Sequence, residues 1–213
     1  MGWNWHLVER DLQSRGYDAF ALDLAARGRT GLPAYAEAVV DAIDGRRDVS
    51  LIALSMGAFT APLVWQQVPT SSVVFVNAMI PQPGETPGEW WDNVGSERAR
   101  TAAAVRGGYS VEFDLATYFL HDVPEDLLPE MASQAAAQLD ETFDDRCEFD
   151  AWPSIPIHVV SSRDDRFFPL ELQQRIARER LGIDPVIVPG GHLAALSHPG
   201  ELAAVIAEFL GPV

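Results

Sequence analysis

Short apolar runs alternate along the chain with stretches of helical periodicity, and this alternation restricts the fold more than any other feature. The clearest runs are residues 49–54, 72–77, 157–161 and 185–188. Parallel strands need a long connection, usually a helix, to bring the chain back to the starting edge of the sheet. The alternation therefore predicts an α/β fold, with a mostly parallel sheet and helices on both of its faces.

The other predicted elements follow the same rhythm. A helix at about 5–15 ends at Gly16, and residues 18–24 are predicted to form a further strand. We expect all of these elements to form a single domain over residues 1–213. Additional helices are predicted over residues 33–43, 56–67, 169–180 and 199–210.

The rhythm stops between Ile80 and about Trp152. This segment opens with a turn-rich run at 81–88 and then carries aromatic residues among helix formers and acids. We interpret residues 81–152 as a helical insertion that covers one end of the sheet as a lid. The alternative is a long connection that only covers the core.

Composition restricts the class of protein. The chain has 213 residues, 47% of them hydrophobic, which suits one globular domain with a sizeable core. No run approaches the roughly 18 apolar residues of a membrane span, and the start does not resemble a secretion signal. We therefore expect a cytoplasmic protein. Cys147, the single cysteine, has no partner for an internal disulfide, and no cysteine and histidine cluster suggests structural zinc.

The charge balance excludes several partners. There are 31 acidic and 15 basic residues, giving a formal net charge of −16, which repels nucleic acid and anionic membrane surfaces. Every basic residue is an arginine. Without lysine there is no Schiff-base chemistry, no phosphate-loop lysine and no lysine general base.

A serine stands where a buried strand gives way to a helix. Residues 51–58 read Leu-Ile-Ala-Leu-Ser-Met-Gly-Ala, so that Ser55 has the small residues Ala53 and Gly57 two positions away on either side. Small residues at these positions favour a sharp turn that exposes the serine at the carboxyl edge of the sheet. The alternative is a serine that caps an ordinary helix.

An acid and a histidine follow two later strands. Asp165 lies in the run 161–169 and His192 in the run 189–192, each just past a predicted strand end. A serine hydroxyl is too weak an acid to attack an ester unaided, so it needs an imidazole base that a carboxylate orients. The order serine, acid, histidine predicts a nucleophilic triad of Ser55, Asp165 and His192.

At this point the sequence resembles the α/β-hydrolase superfamily over nearly its whole length. It is most similar to the compact esterase group that includes plant methylesterases and hydroxynitrile lyases, through residues 2–5, 17–24, 77–81 and the turn at Ser55. The resemblance implies that Ser55 is the nucleophile, Asp165 the acid, and His192 the general base and then acid.

The same resemblance suggests the donors of the oxyanion hole. It implies the backbone amide of Met56 as one donor, and it places Trp3, in the Gly-Trp segment, as the candidate for the second. Between the neighbouring aspartates it favours Asp165, because its spacing to Pro169 matches the family's acid loop. Asp164 is expected to be solvated.

The sequence departs from the family at its start. Relatives begin with strands that this sequence lacks, including a central strand that ends in a His-Gly-like turn before the Gly-Trp segment. Without that strand, residues 18–24 lose a neighbour on the side of the 49–54 strand, and their backbone groups lack partners. We expect a native start upstream of Met1; the alternatives are that the fold compensates for the missing strand or that this form is impaired.

The remaining histidines and acids have simpler interpretations. His158 is expected to be a core or edge residue of its strand, and His198 a surface residue or a fallback base. His121 either contacts substrate or pairs with Asp122. An acidic cluster is expected to be a solvated helix face, and neither a metal nor a cofactor is predicted; it comprises Asp140, Glu141, Asp144, Asp145 and Glu148.

These observations favour a serine hydrolase of small or medium carboxylic esters, with a methyl ester or a lactone as possible substrates. A noncatalytic binding protein on the same scaffold is the alternative from another class. A C–CN lyase is disfavoured because lyases of this group use a lid lysine. The aromatic lid would line an apolar substrate pocket, and the candidate substrate-binding residues are Met79, Trp90, Trp91, Phe119 and His121.

Overall fold

The computed structural model describes residues 2–24, 30–134 and 140–212. A parallel sheet of four strands lies at the centre of the described chain, in the order β1-β2-β3-β4. Because this order is also the order along the chain, each connection moves over by one strand. The strands are β1 (Val49–Leu54), β2 (Thr70–Val76), β3 (Ile157–Ser162) and β4 (Val186–Val188).

The connections between strands are mainly helical, as the alternation predicts. The segment between β2 and β3 is much longer than the others, and its described residues carry four of the α-helices. We refer to residues 81–152 as the lid. The helices are α1 (His6–Ser14), α2 (Leu32–Ile43), α3 (Thr60–Trp65), α4 (Pro87–Asn93), α5 (Ser96–Gly107), α6 (Leu115–Tyr118), α7 (Leu128–Gln134), α8 (Leu170–Leu181), α9 (Ala194–Ser197) and α10 (Pro199–Leu210).

The side chains of β2 alternate between two hydrophobic clusters. Val73 and Phe75 belong to the cluster that contains residues of α3 and α8, whereas Val74 and Val76 belong to the one that contains residues of α1 and α10. All four side chains are fully buried, as expected of a parallel strand that is covered on both faces. The predicted fold class is therefore confirmed. Within the described ranges, no helix is both long and apolar enough to cross a membrane.

The predicted strand at 18–24 is wrong. These residues form no strand, and β1 is one of the two edge strands of the described sheet. No strand of the described residues lies beside the segment, and side chains of α1 bond to two of its backbone groups. Gln13 donates to the carbonyl of Ala19 at 2.7 Å, and Glu9 accepts from the amide of Ala21 at 3.2 Å.

The helix predicted over 56–67 also differs from the structure. It begins with a 3₁₀ turn, Ser55–Phe59, and continues as α3 only from Thr60 to Trp65. Ser55 itself has a left-handed backbone, with φ +53°, so it is not part of a regular right-handed helix.

A buried ion pair fixes the start of the lid to α8. Arg180 Nη2 donates to Glu85 Oε1 at 2.9 Å, and the two side chains are only 6% and 4% exposed. Asn93 donates to the same oxygen at 2.8 Å, and Arg180 Nη1 donates to the carbonyl of Ile80 at 2.6 Å. Such a pair is tolerated inside a protein only when its polar atoms are bonded in this way.

Candidate active site

Ser55 lies directly beyond the carboxyl end of β1 in a strained conformation. Its φ of +53° is in the left-handed region, which costs a non-glycine residue about 1 to 2 kcal/mol. The amide of Met79, from the segment after β2, donates to the Ser55 carbonyl at 3.1 Å and holds the turn. Strain of this kind, retained by surrounding contacts, is common at functional residues.

The small residues around Ser55 do not have equal roles. Ala53 is buried in the sheet, with 8% of its surface exposed. A Cβ added to Gly57 would meet no heavy atom within 4 Å outside its chain neighbours and the backbone of its own turn. Crowding by other parts of the protein therefore does not explain the glycine at position 57.

Asp165 lies in the loop between β3 and α8, and its carboxylate is fully engaged. It is 4% exposed. Its Oδ1 accepts from the amides of Phe167 and Phe168 at 2.8 and 2.9 Å, and its Oδ2 accepts from Gln173 Nε2 at 3.2 Å. These donors stabilise the ionised carboxylate and fix its direction.

His192 lies in the loop after β4 and meets this carboxylate. Its Nδ1 is 2.8 Å from Asp165 Oδ2, and the residue is only 1% exposed. A carboxylate in this position selects the tautomer with a proton on Nδ1, which leaves the lone pair on Nε2. Nε2 is buried and has no partner among the residues described. The arrangement is that of an oriented base.

Three phenylalanine rings enclose the His192 imidazole. The ring centroids of Phe119, Phe167 and Phe168 lie 4.8, 5.1 and 5.1 Å from it, all nearly edge-on. Phe119 belongs to the lid, whereas Phe167 and Phe168 follow Asp165. The predicted site residue Phe119 therefore contacts the predicted base.

Asn77 connects the ends of β2, β3 and β4, a role that the sequence analysis did not assign. It is fully buried with φ +44°. Its Nδ2 donates to Ser162 Oγ at 2.8 Å and to the His192 carbonyl at 3.0 Å, and its Oδ1 accepts from the Ser162 amide at 2.7 Å. The sequence signal that could have identified Asn77 is its position, as a polar residue directly after a buried apolar strand.

The register of the sheet brings Ser55 to the same edge. Leu54 of β1 pairs with Val76 of β2, so that Ser55 and Asn77 are the next residues on adjacent strands. Asn77 binds the His192 carbonyl. All three predicted triad residues thus follow strand ends at one edge of the sheet, where ligands of α/β proteins bind.

Both predicted oxyanion donors lie in 3₁₀ turns. Met56 is the second residue of the 3₁₀ turn that Ser55 begins. Trp3 lies in a 3₁₀ turn, Gly2–Trp5. Its indole Nε1 donates to Glu130 of α7 at 3.1 Å, so that its side chain contacts the lid. The donor role of both backbone amides stays a prediction.

The other predicted substrate-binding residues have different environments. Met79 and Trp90 are 2% and 0% exposed within the core, and Trp90 Nε1 donates to the Ile80 carbonyl at 3.1 Å. Both belong to one hydrophobic cluster of the core, so neither side chain is exposed to solvent. Trp91 lines a cleft in the lid. His121 is partly buried near Asp122, and burial lowers the pKa of its imidazole.

The cleft has a volume of about 400 Å³ and is bordered by aromatic rings. The ring of Phe167 borders the cleft and also contacts His192, so it separates the cleft from the predicted base. The sequence analysis missed Phe167 because only the folded loop reveals its two contacts. The cleft is lined by Trp91, Asp92, Ser96, Glu97, Arg100, Phe113 and Phe167.

Other candidates for chemistry are less well placed. The Asp164 carboxylate is 52% exposed and pairs with Arg163 at 3.4 Å. Cys147 is fully buried, and burial raises the pKa of its thiol to about 12, so it is no nucleophile near neutral pH. The His158 ring stacks on Phe209 with centroids 4.1 Å apart. No group of three or more metal-binding side chains occurs in the part of the chain that is described.

Known structures share this architecture. A polyneuridine aldehyde esterase superposes with a TM-score of 0.77 at 19% identity, covering 99% of this chain and 94% of that one. A pyrethroid hydrolase from Sphingobium faniae JZ-2 gives 0.69 at 18%, with 98% and 92% covered. A methylesterase from Arabidopsis gives 0.73 at 15%, with 98% and 93% covered. At these identities the likeness shows the fold.

The family comparison is more direct. No curated protein matches the chain significantly. The model of the alpha/beta hydrolase family, in contrast, matches residues 1–205 and so covers nearly the whole sequence. This chain belongs to the alpha/beta hydrolase family.

Proposed function

We propose that this protein is a serine hydrolase that cleaves a carboxylic ester through an acyl-enzyme. The observation that carries the proposal is the buried contact of 2.8 Å between Asp165 Oδ2 and His192 Nδ1. This pair lies at the carboxyl end of the sheet, where Ser55 also lies. The family's hydrolase character agrees with it. So do structural neighbours that are named as an esterase, a methylesterase and a pyrethroid hydrolase.

The first half of the reaction forms the acyl-enzyme. Ser55 Oγ attacks the ester carbonyl carbon while His192 Nε2 accepts the hydroxyl proton, and the negative charge moves to the carbonyl oxygen. Asp165 stabilises the imidazolium that results. When the C–O bond to the alcohol breaks, His192 returns the proton to the departing oxygen. The amide of Met56 is the proposed donor to the oxyanion.

The second half uses the same groups with water. Water attacks the acyl carbon as His192 Nε2 accepts its proton, and the new tetrahedral intermediate breaks to release Ser55. The histidine proton passes to Ser55 Oγ, and the carboxylic acid leaves. Each step balances without a metal or a redox cofactor.

Apolar surroundings support an ester with a large uncharged portion. The rings of Phe119, Phe167 and Phe168 lie at His192. Sites lined by aromatic side chains suit apolar organic ligands. The net charge of −16 also disfavours anionic substrates. We therefore propose a neutral, small or medium ester; a methyl ester or a lactone would satisfy both conditions.

The test is covalent labelling with a fluorophosphonate, followed by intact-mass measurement. We expect one adduct on the wild-type protein and none on Ser55→Ala. Ser71→Ala, which changes an exposed serine of β2, is the matched control and should label normally. A folded wild-type protein that never labels, yet binds ligands, would support a binding protein on this scaffold instead.

A further inference from the structure

The loop that carries His192 is bonded on two sides at the preceding residue. The amide of Gly191 donates to Asp122 Oδ2 at 2.6 Å, and its carbonyl accepts from Asn77 Nδ2 at 3.3 Å. Asn77 belongs to the sheet edge, but Asp122 belongs to the lid. The peptide next to the predicted base is therefore held from the sheet and from the lid.

The Asp122 carboxylate is placed for this contact. Its side chain is 18% exposed, and its second oxygen, Oδ1, is buried without a hydrogen bond to any described residue. The two nearest histidine nitrogens, in His121 and His198, are 4.0 and 3.9 Å away, beyond hydrogen-bond distance. The 2.6 Å hydrogen bond from the Gly191 amide is therefore shorter than either of these contacts of the Asp122 carboxylate. A charged acceptor makes that bond stronger than a neutral one.

Packing adds to the hydrogen bond. A Cβ on Gly191 would lie 2.6 Å from His121 Cε1 and 2.7 Å from Asp122 Oδ1, so the lid lies against the bare backbone of the loop. On the other side of His192, Leu193 and Val123 belong to one hydrophobic cluster. The lid segment 119–123 therefore contacts the residues before and after His192, and it contacts the imidazole through Phe119.

We propose that Asp122 is a positioning residue for His192. By binding the Gly191 peptide, it keeps Nδ1 directed at Asp165 and so fixes where Nε2 points. This inference rests on the proposed serine hydrolase function. The inference predicts that fast turnover needs a lid carboxylate that contacts neither the serine nor the imidazole in this structure.

The test compares Asp122→Ala with Asp122→Asn, in which the amide oxygen can still accept from Gly191. Asp126→Ala is the control, since Asp126 is an exposed acid four positions further along the lid. We measure the rate of fluorophosphonate labelling and the kcat and KM for p-nitrophenyl acetate. A misdirected base costs about tenfold to a hundredfold. We expect that loss in kcat for Asp122→Ala with KM unchanged, and near wild-type rates for the other two variants.

A spectroscopic measurement separates positioning from a general loss of structure. The Nδ1 proton shared with Asp165 should give a low-field proton NMR signal that requires no turnover. We expect this signal to weaken in Asp122→Ala and to persist in Asp122→Asn. An Asp122→Ala protein with the wild-type signal, kcat and labelling rate would overturn the inference.

A second variant serves if Asp122→Ala does not fold. Gly191→Ala disturbs the same contact from the loop side and should lower kcat to a similar degree; unchanged kcat in folded Gly191→Ala would also overturn the inference. Failure of the positioning role and failure of the proposed hydrolase function give different results. A wild-type protein that labels while these variants behave normally refutes only the positioning role, whereas a wild-type protein that never labels refutes the hydrolase.

Discussion

The two halves of the candidate site are built differently. On the acid and base side, Asp165 accepts from Phe167, Phe168 and Gln173 in addition to its contact with His192. On the nucleophile side, Ser55 follows the edge strand β1, and its strained turn is held through its carbonyl. One half depends on many buried hydrogen bonds, and the other on the geometry of one short turn.

This difference suggests how each half responds to change. Removing a partner on the acid and base side leaves a buried polar group without a bond, which is costly. On the nucleophile side the backbone itself carries the strain, so that a residue which tolerates a left-handed conformation should relieve it. Substitutions on each side can separate the loss of a buried hydrogen bond from the relief of backbone strain.

The largest effect is expected on the acid and base side. Asp165→Asn should lower kcat by about 10⁴-fold, because an amide can donate to Nδ1 and so favour the wrong tautomer. The measurement is hydrolysis of p-nitrophenyl acetate. Asp164→Asn is the matched control, since its carboxylate does not contact His192 and an amide oxygen can still accept from the Gly190 amide, as the carboxylate does at 3.3 Å; it should stay within about twofold of wild type. Equal losses in both variants would contradict the assignment of the acid.

A smaller effect is expected at the turn. Because a left-handed backbone costs alanine but not glycine, Ser55→Gly should be more stable than Ser55→Ala by roughly 1 kcal/mol in urea unfolding. Both variants lack the hydroxyl, so the difference reports the backbone alone. At Ser71, in β2, we expect the opposite order: Ser71→Ala should be more stable than Ser71→Gly, since glycine weakens a strand. The same order at both positions would remove the argument for strain at Ser55.

The smallest effect concerns the pH dependence of stability, which involves His158 in strand β3. Burial lowers the pKa of His158 from its ordinary value of 6.5. The folded state therefore binds fewer protons than the unfolded state as the pH falls below about 6.5, and stability decreases. His158→Phe keeps a ring against Phe209 and removes the titration. Its urea midpoint should fall less between pH 7 and pH 5 than that of wild type; parallel curves would contradict the assignment.

The sequence predicted the positions of Ser55, Asp165 and His192 better than their surroundings. Each follows a strand whose apolar pattern is local, so its place at the carboxyl end of the sheet could be predicted; the catalytic roles stay a prediction. The strand at 18–24 was predicted wrongly because its residues have strand-like composition, whereas a strand also needs a neighbour. The resemblance to the family already indicated that this neighbour is missing, and two of the segment's backbone groups bond to α1 side chains instead.

Residues that support the site were harder to find. Asp122 and Phe167 act through contacts with residues far away in sequence, Gly191 and His192 respectively. Neither spacing nor residue type signals such contacts before the lid is folded. Trp90 shows the reverse case, in which an aromatic lid residue that suggested a pocket wall is part of the core.

The environment of Cys147 makes the protein convenient for site-directed spectroscopy. It is the single cysteine of the chain, is fully buried, and bonds through Sγ to the Phe59 carbonyl at 3.1 Å. Alkylating dyes should therefore leave the native thiol untouched. A cysteine introduced at the exposed position Val105 of α5 would then be the sole attachment point for a fluorophore, and lid movement could be followed without first removing a native residue.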